Sequence, residues 1–225
     1  RPSLGLWAVK NVTRAYFGGA ADIPIPGDYD GDRITDVGVY RDGLWAIRGV
    51  TRTYFGSSSD LPVPGDYDGD GRCDPGIFRS GSGLWAVRTI TRSYFGGTGD
   101  QPIPGDYDGD GIEDISIYRR AAGLWAIRTI SRIYFGGEDD RPVPGDYDRS
   151  PGWNPAVFRP EIGLWALRDV SRIYFGSSAD LPLPADFNGD GLDETAIFRP
   201  GGGLWAIRGM SRVYFGSPGD IPVTR

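Results

Sequence analysis

Three features of this 225-residue sequence predict an all-β chain, a β-propeller of four-stranded blades. The tetrapeptide GLWA recurs at Gly5, Gly43, Gly83, Gly123, Gly163 and Gly203, with one step of 38 residues and four of 40. A YFG tripeptide follows each copy, at Tyr16, Tyr54, Tyr94, Tyr134, Tyr174 and Tyr214. The composition, with 36 Gly, 18 Pro, 12 Tyr, 10 Phe and 7 Trp, favours short aromatic strands and tight turns over long helices. A fixed period of this length marks an array of supersecondary units.

One repeat supplies the elements in order. Strand A is the Pro-x-Pro segment around Leu61 to Tyr67, strand B is Pro75 to Arg79, strand C is Leu84 to Arg88, and strand D is Arg92 to Phe95. Strand A carries two prolines, such as Pro102 and Pro104, which donate no ladder hydrogen bonds and so belong on an edge. Strand C is apolar on both faces, with Leu124 and Ala126 on one side and Trp125 and Ile127 on the other. A sheet with one wet face would alternate with polar residues, so neighbouring blades are predicted to cover both sides.

Complete blades are expected at approximately 22–58, 60–98, 100–138, 140–178 and 180–218 of a single domain, 1–225. Strand A begins six times, from Ile23, Leu61, Gln101, Arg141, Leu181 and Ile221, whereas a complete strand B occurs five times. The main expectation is therefore six blades, the last a composite of residues 5–18 and 220–224, because an unpaired hairpin would expose an aromatic edge. Five blades with terminal strands, or a fragment of a longer array, are the alternatives. Arg1-Pro2-Ser3 reads as the interior of a repeat rather than a signal peptide.

Between strands A and B lies an acidic loop. In Asp66-Tyr-Asp68-Gly-Asp70-Gly71-Arg72-Cys-Asp74, carboxylates fall at positions 1, 3, 5 and 9, with glycine at 6. Calcium takes six to eight oxygen ligands, and odd-numbered spacing turns successive carboxylates to one centre, with a backbone carbonyl expected from position 7. The pattern recurs at Asp106, Asp108, Asp110 and Asp114. Variants occur at Asp28, Asp30, Asp32 and Asp36, where Arg33 replaces the glycine, and at Asp186, Asn188, Asp190 and Glu194. The fourth loop keeps Asp146 and Asp148 but has Arg149, Ser150 and Asn154 in place of glycine or acid, so it is expected to bind poorly or not at all. Asp and Gly are also ordinary turn formers, but four copies at matching spacing favour metal. About four Ca²⁺ would move the formal charge from −6 to about +2.

The YFG tripeptide, the Pro-Val-Pro-Gly-Asp segment and the DYDGDG loop resemble the FG-GAP or VCBS-type repeats of integrin α-subunit head propellers and many secreted bacterial proteins. The resemblance covers essentially the whole chain. It implies that the named carboxylates ligate calcium on one face, that partners bind on the opposite face or between blades, and that the protein is extracellular, secreted or at the cell surface. Integrin heads have seven blades, more than are counted here, and the fourth loop lacks the motif.

Trp7, Trp45, Trp85, Trp125, Trp165 and Trp205 suit either a ring of sugar-stacking platforms or the filling between blades, and packing is the simpler reading. Trp153, alone in the fourth loop, is the better candidate for an exposed contact. Arginines recur after strand B (Arg41, Arg79, Arg119, Arg159, Arg199) and around the C-D turn (Arg48 and Arg52, Arg88 and Arg92). They suit either a basic ring for an acidic polysaccharide or carboxylated partner, or pairs with Asp60, Asp100 and Asp140 between blades.

Several classes are disfavoured. A formal charge of −6 is a poor match to nucleic acid. No window approaches eighteen consecutive apolar residues, so no membrane span is predicted. There is no His, one Lys (Lys10) and one Cys (Cys73), and no Ser or Cys stands beside a plausible base, so the chain is not expected to be an enzyme. The function expected is a calcium-stabilised extracellular module for binding, adhesion or structural assembly, with a protein or glycan ligand and possible self-assembly. A multivalent carbohydrate-binding lectin is the alternative, and the propeller of a polysaccharide lyase a third reading.

Overall fold

The computed structural model describes residues 1–224. It is an all-β β-propeller with five four-stranded blades, each an antiparallel sheet in the order A-B-C-D. A hairpin of β1 (Leu6–Val9) and β2 (Thr13–Tyr16) precedes them. Blade one holds β3 (Ile23–Pro24), β4 (Gly38–Arg41), β5 (Leu44–Ile47) and β6 (Thr51–Tyr54). Blade two holds β7 (Leu61–Pro62), β8 (Gly76–Arg79), β9 (Leu84–Val87) and β10 (Thr91–Tyr94). Blade three holds β11 (Asp100–Pro102), β12 (Ser116–Arg119), β13 (Leu124–Ile127) and β14 (Ser131–Tyr134). Blade four holds β15 (Arg141–Pro142), β16 (Ala156–Arg159), β17 (Leu164–Leu167) and β18 (Ser171–Tyr174). Blade five holds β19 (Leu181–Pro182), β20 (Ala196–Arg199), β21 (Leu204–Ile207) and β22 (Ser211–Tyr214).

The contacts divide the chain into two compact units. One is Arg1–Thr98 with Gly219–Val223, containing the hairpin and the first two blades; the other is Gly99–Pro218 with Thr224, containing the last three. The proline-rich A strands are edges of two or three residues, shorter than their Pro-x-Pro segments, because prolines leave gaps in the ladder.

The expected sixth, composite blade is not formed. The β1-β2 sheet has two strands, and residues 221–223 adopt no strand. In each blade strand A bonds to strand B, as Leu61 pairs with Phe78 and Pro62 with Ile77. The first hairpin has no B strand, so the segment after Asp220 has no ladder to join. Arg1 occupies the place of a B-strand terminal arginine, four residues before GLWA, and its Nε donates to Asp220 Oδ1 at 3.0 Å.

Period-two alternation explains how blades pack. On one face an aromatic residue of strand B stands opposite the GLWA tryptophan, as Tyr40 opposite Trp45 and Tyr118 opposite Trp125. On the other face a branched residue stands opposite alanine, as Ile77 opposite Ala86 and Val157 opposite Ala166. Within each unit the large face of one blade meets the small face of the next. Tyr40 and Trp45 cluster with Ile77 and Ala86, and Tyr118 and Trp125 with Val157 and Ala166. The paired rings lie 5.1–5.3 Å apart at tilted or edge angles. Trp45, Trp85, Trp125 and Trp165 are fully buried, and each indole Nε1 donates to a Phe carbonyl at 2.9–3.1 Å. Trp7 and Trp205 are half-buried with the same bond. These tryptophans are packing residues.

Candidate metal-binding loops

Each acidic loop is held at both ends by its blade. At the start of the first four loops, the tyrosine at position 2 is buried and donates its hydroxyl to the Pro-x-Pro segment, as Tyr67 to the Val63 carbonyl at 3.0 Å and Tyr107 to that of Ile103 at 2.9 Å; the fifth loop has the half-buried Phe187 there. At the end of each loop, an isolated antiparallel bridge ties the residue before position 1 to position 9, as Gly65 to Asp74 and Gly105 to Asp114. Between these anchors the chain needs left-handed backbone at position 4, supplied by Gly31, Gly69, Gly109 and Gly189 with φ of 78–84°.

The aspartates fold the loop around themselves. The position 1 carboxylate accepts the amides of positions 4 and 6, as Asp66 from Gly69 and Gly71 at 2.7 and 2.8 Å, and Asp106 from Gly109 and Gly111 at 2.7 and 2.9 Å. The first and fifth loops repeat this on Asp28 and Asp186. At position 5, Asp32, Asp70, Asp110 and Asp190 accept the amide of position 7. At position 9, Asp36, Asp74, Asp114 and Glu194 accept the amide of position 2 at 2.8–3.0 Å.

In four loops, oxygens of three acidic residues lie within 4.8 Å of one another, a spacing that one metal ion can bridge. The sets are Asp28, Asp30 and Asp32; Asp66, Asp68 and Asp70; Asp106, Asp108 and Asp114; and Asp186, Asp190 and Glu194. The structure thus groups three of the predicted acids in each loop and leaves Asp36, Asp74 and Asp110 outside these sets. Asn188 instead donates its side-chain amide to Glu194.

The electrostatics fit a cation. Burial, followed by the neighbouring carboxylates Asp68, Asp70 and Asp66, pushes Asp74 up to about 6 against the hydrogen bond from Tyr67. Asp114 is pushed up to about 6 for the same reasons, with Asp108, Asp110 and Asp106 as its neighbours. Like charges held this close make each other costly unless a positive ion joins them.

The fourth loop reaches the same backbone end-points without the acids. Asn154 Oδ1 accepts the Tyr147 amide at 2.9 Å, as the position 9 carboxylates do, and its Nδ2 donates to Asp148 at 3.3 Å. Arg149 takes position 4 at φ 60°, Pro151 stands at position 6, and the second left-handed residue moves to Gly152. Among the described residues this loop assembles no group of three acids.

Three features were not anticipated. First, the residue at position 8 links one loop to the preceding one within a unit. The amides of Cys73, Trp153 and Asp193 donate to the carbonyls of Asp28, Asp106 and Asp146, each at 2.6 Å. Trp153 is accordingly half-buried against Gly105, where a methyl group would meet its ring at 2.6 Å, so it is not the exposed contact expected from sequence. Varied residue types hid this position, although its spacing from position 1 is constant.

Second, the arginines after strand B pair within their own blade and not between blades. Arg79, Arg119, Arg159 and Arg199 each grip Asp60, Asp100, Asp140 and Asp180 through Nε and Nη2 at 2.7–2.9 Å, and Arg41 pairs with Asp22. The aspartate side chains are 0–6 % exposed and the arginines 42–49 %. The constant offset of 19 residues was the available signal. Burial raises Asp60, but Arg79 and Ser57 outweigh it and hold the carboxyl below its usual range.

Third, all six YFG tyrosines are 72–80 % exposed on strand D. The chain matches no family model, no curated protein and no solved structure.

Proposed function

We propose that this chain is a calcium-stabilised β-propeller of the FG-GAP/VCBS type that serves outside the cell as a binding, adhesion or assembly module. The observation that carries the reading is the recurrence, in four loops, of three acidic residues with oxygens within 4.8 Å of one another. Oxygen-only donors on flexible, glycine-containing loops suit Ca²⁺ better than the softer metals that seek nitrogen or sulfur. Bound Ca²⁺ would neutralise the carboxylates and, in the third and fifth loops, tie the start of the loop to its end. Asp28, Asp30 and Asp32 would hold it in the first loop, Asp66, Asp68 and Asp70 in the second, Asp106, Asp108 and Asp114 in the third, and Asp186, Asp190 and Glu194 in the fifth. Calorimetric titration of metal-stripped protein with CaCl₂ tests this: uptake of about four ions is expected, and no measurable uptake at millimolar Ca²⁺ would overturn it.

A multivalent lectin is the second reading, favoured by a different feature. The GLWA tryptophans are buried or half-buried, but the YFG tyrosines are exposed, and Tyr134 lines a cleft between blades three and four.

A further inference from the structure

We propose that the clefts between successive blades of the same unit bind acidic sugars, each taking a uronate residue between the strand D tyrosine of one blade and the strand D arginine of the next. This deepens the reading of the chain as a binding module, and it uses residues other than the metal loops.

One such cleft lies between blades three and four. It has a volume of about 400 Å³ and is lined by Tyr134, Phe135, Arg159, Leu164, Ala166 and Arg172, among others, with no carboxylate in its lining. That volume is within the range of small-ligand sites. A second cavity of about 420 Å³ shares Phe135, Ala166 and Arg172 and continues along the β17-β18 hairpin. The single acid lining it, Asp169, is paired with Arg168 at 2.9 Å.

The side chains give the cleft its chemistry. Tyr134 is 75 % exposed, presenting a flat ring whose face suits the C–H face of a pyranose and whose hydroxyl can reach a polar edge. Leu164 and Ala166 supply an apolar floor. Arg159 is already neutralised by Asp140, at 2.8 and 2.9 Å. Arg172 is exposed and, among the described residues, makes no hydrogen bond or ion pair, so it is an uncommitted guanidinium in an acidic chain. A guanidinium binds a carboxylate through two parallel N–H bonds, and a uronate presents a carboxylate beside its ring.

The arrangement recurs within each unit. A methyl on Gly136 would come within 2.9 Å of Val157 in the next blade; Gly56 stands likewise against Ile77, and Gly176 against Ile197. Tyr54 with Arg92 and Tyr174 with Arg212 are the equivalent residues at those junctions, all four exposed. Core packing does not account for repeated tyrosines that point their rings at water, and recognition of a repeating acidic polymer does.

The test uses the intact, calcium-saturated protein and a uronate trisaccharide, with the neutral hexose trisaccharide as control, followed calorimetrically. The acidic sugar should bind at several equivalent sites, weaken at least tenfold between 50 and 500 mM NaCl, and exceed the neutral sugar in affinity at least tenfold. Arg172→Gln and Tyr134→Ala should each remove one site from the stoichiometry while leaving the melting temperature within about 2 °C. Equal binding of the neutral sugar, or unchanged stoichiometry in both variants, would overturn the proposal. Loss of sugar binding on chelation, with Arg172→Gln without effect, would also overturn it by placing the sugar on the metal loops. Absence of sugar binding in protein that still takes up calcium would reject the clefts and leave the calcium reading standing.

Discussion

The third and fourth acidic loops both begin Gly-Asp-Tyr-Asp and both close with a bridge from that glycine to position 9, yet only the third gathers three acids. Their difference separates two properties that the repeat otherwise merges. Shape survives in the fourth loop because Asn154 accepts the Tyr147 amide as Asp114 accepts that of Tyr107, at 2.9 Å in both. Charge does not survive: Ser150 replaces an aspartate, and hydrogen bonds from Ser150 and Asn154 hold Asp148 below its ordinary range. The fourth loop thus keeps its turn with two aspartates, Asp146 and Asp148, as acceptors, and the additional acids of the other loops are the ones on which the calcium proposal rests.

The largest expected effect that separates the two loops comes from their first aspartates. A site held at a hundred times its dissociation constant contributes about 2.7 kcal/mol, and each kcal/mol moves the melting temperature of a chain this size by about 2–4 °C. Asp106→Ala should therefore lower the melting point in calcium by about 5–10 °C beyond its cost in chelator. Asp146→Ala also removes a cap, since Asp146 accepts the Arg149 amide at 2.9 Å, but its cost should be the same with and without calcium. Calorimetric melting of both variants under both conditions checks this.

Restoring charge to the fourth loop should erase the difference. Arg149→Gly, Ser150→Asp, Pro151→Gly and Asn154→Asp, combined, supply both glycines and both acids, and metal counting by native mass spectrometry should then show one further calcium.

Packing beneath the two loops offers a middling effect. In Gly105→Ala the new methyl meets the rigid Trp153 ring, whereas in Gly145→Ala it meets the carboxylate of Asp193. Overpacking against a ring costs about 1–3 kcal/mol, so chemical denaturation should find Gly105→Ala the more damaging, regardless of calcium.

The smallest and most diagnostic effect is in pH. Asp74 and Asp114 have folded values of about 6, above their ordinary 3.8, so the calcium-free folded chain binds protons that the unfolded chain does not. Its stability should rise as the pH falls from above 6 toward 4, whereas with calcium it should fall, because protons displace the ion. Below about pH 4 both forms should weaken, as protonation of carboxyls held low by arginine, such as Asp60 and Asp180, removes the ion pairs. Melting temperatures between pH 4 and 8 check the reversal.

Much of this was legible in the residues. Alternation in GLWA and in strand B revealed two-sided burial, and the prolines of strand A placed it on an edge. The blade count was not settled by counting strands, because an A segment is only a strand if a B strand lies beside it, and among the described residues the β1-β2 hairpin has none. Trp153 misled because its loop looked degenerate; it is one instance of a linking position also held by Cys73 and Asp193. The split of the arginines was hidden by their even spacing. Those after strand B are consumed by Asp60 and its equivalents, while those on strand D, such as Arg172, face solvent.

The central claim, that calcium in four loops holds the blades, is tested most directly by melting the wild-type chain in calcium and in excess chelator. A fall of about 10 °C or more on chelation, reversed by added Ca²⁺, is the predicted result. Superimposable melting curves would contradict it.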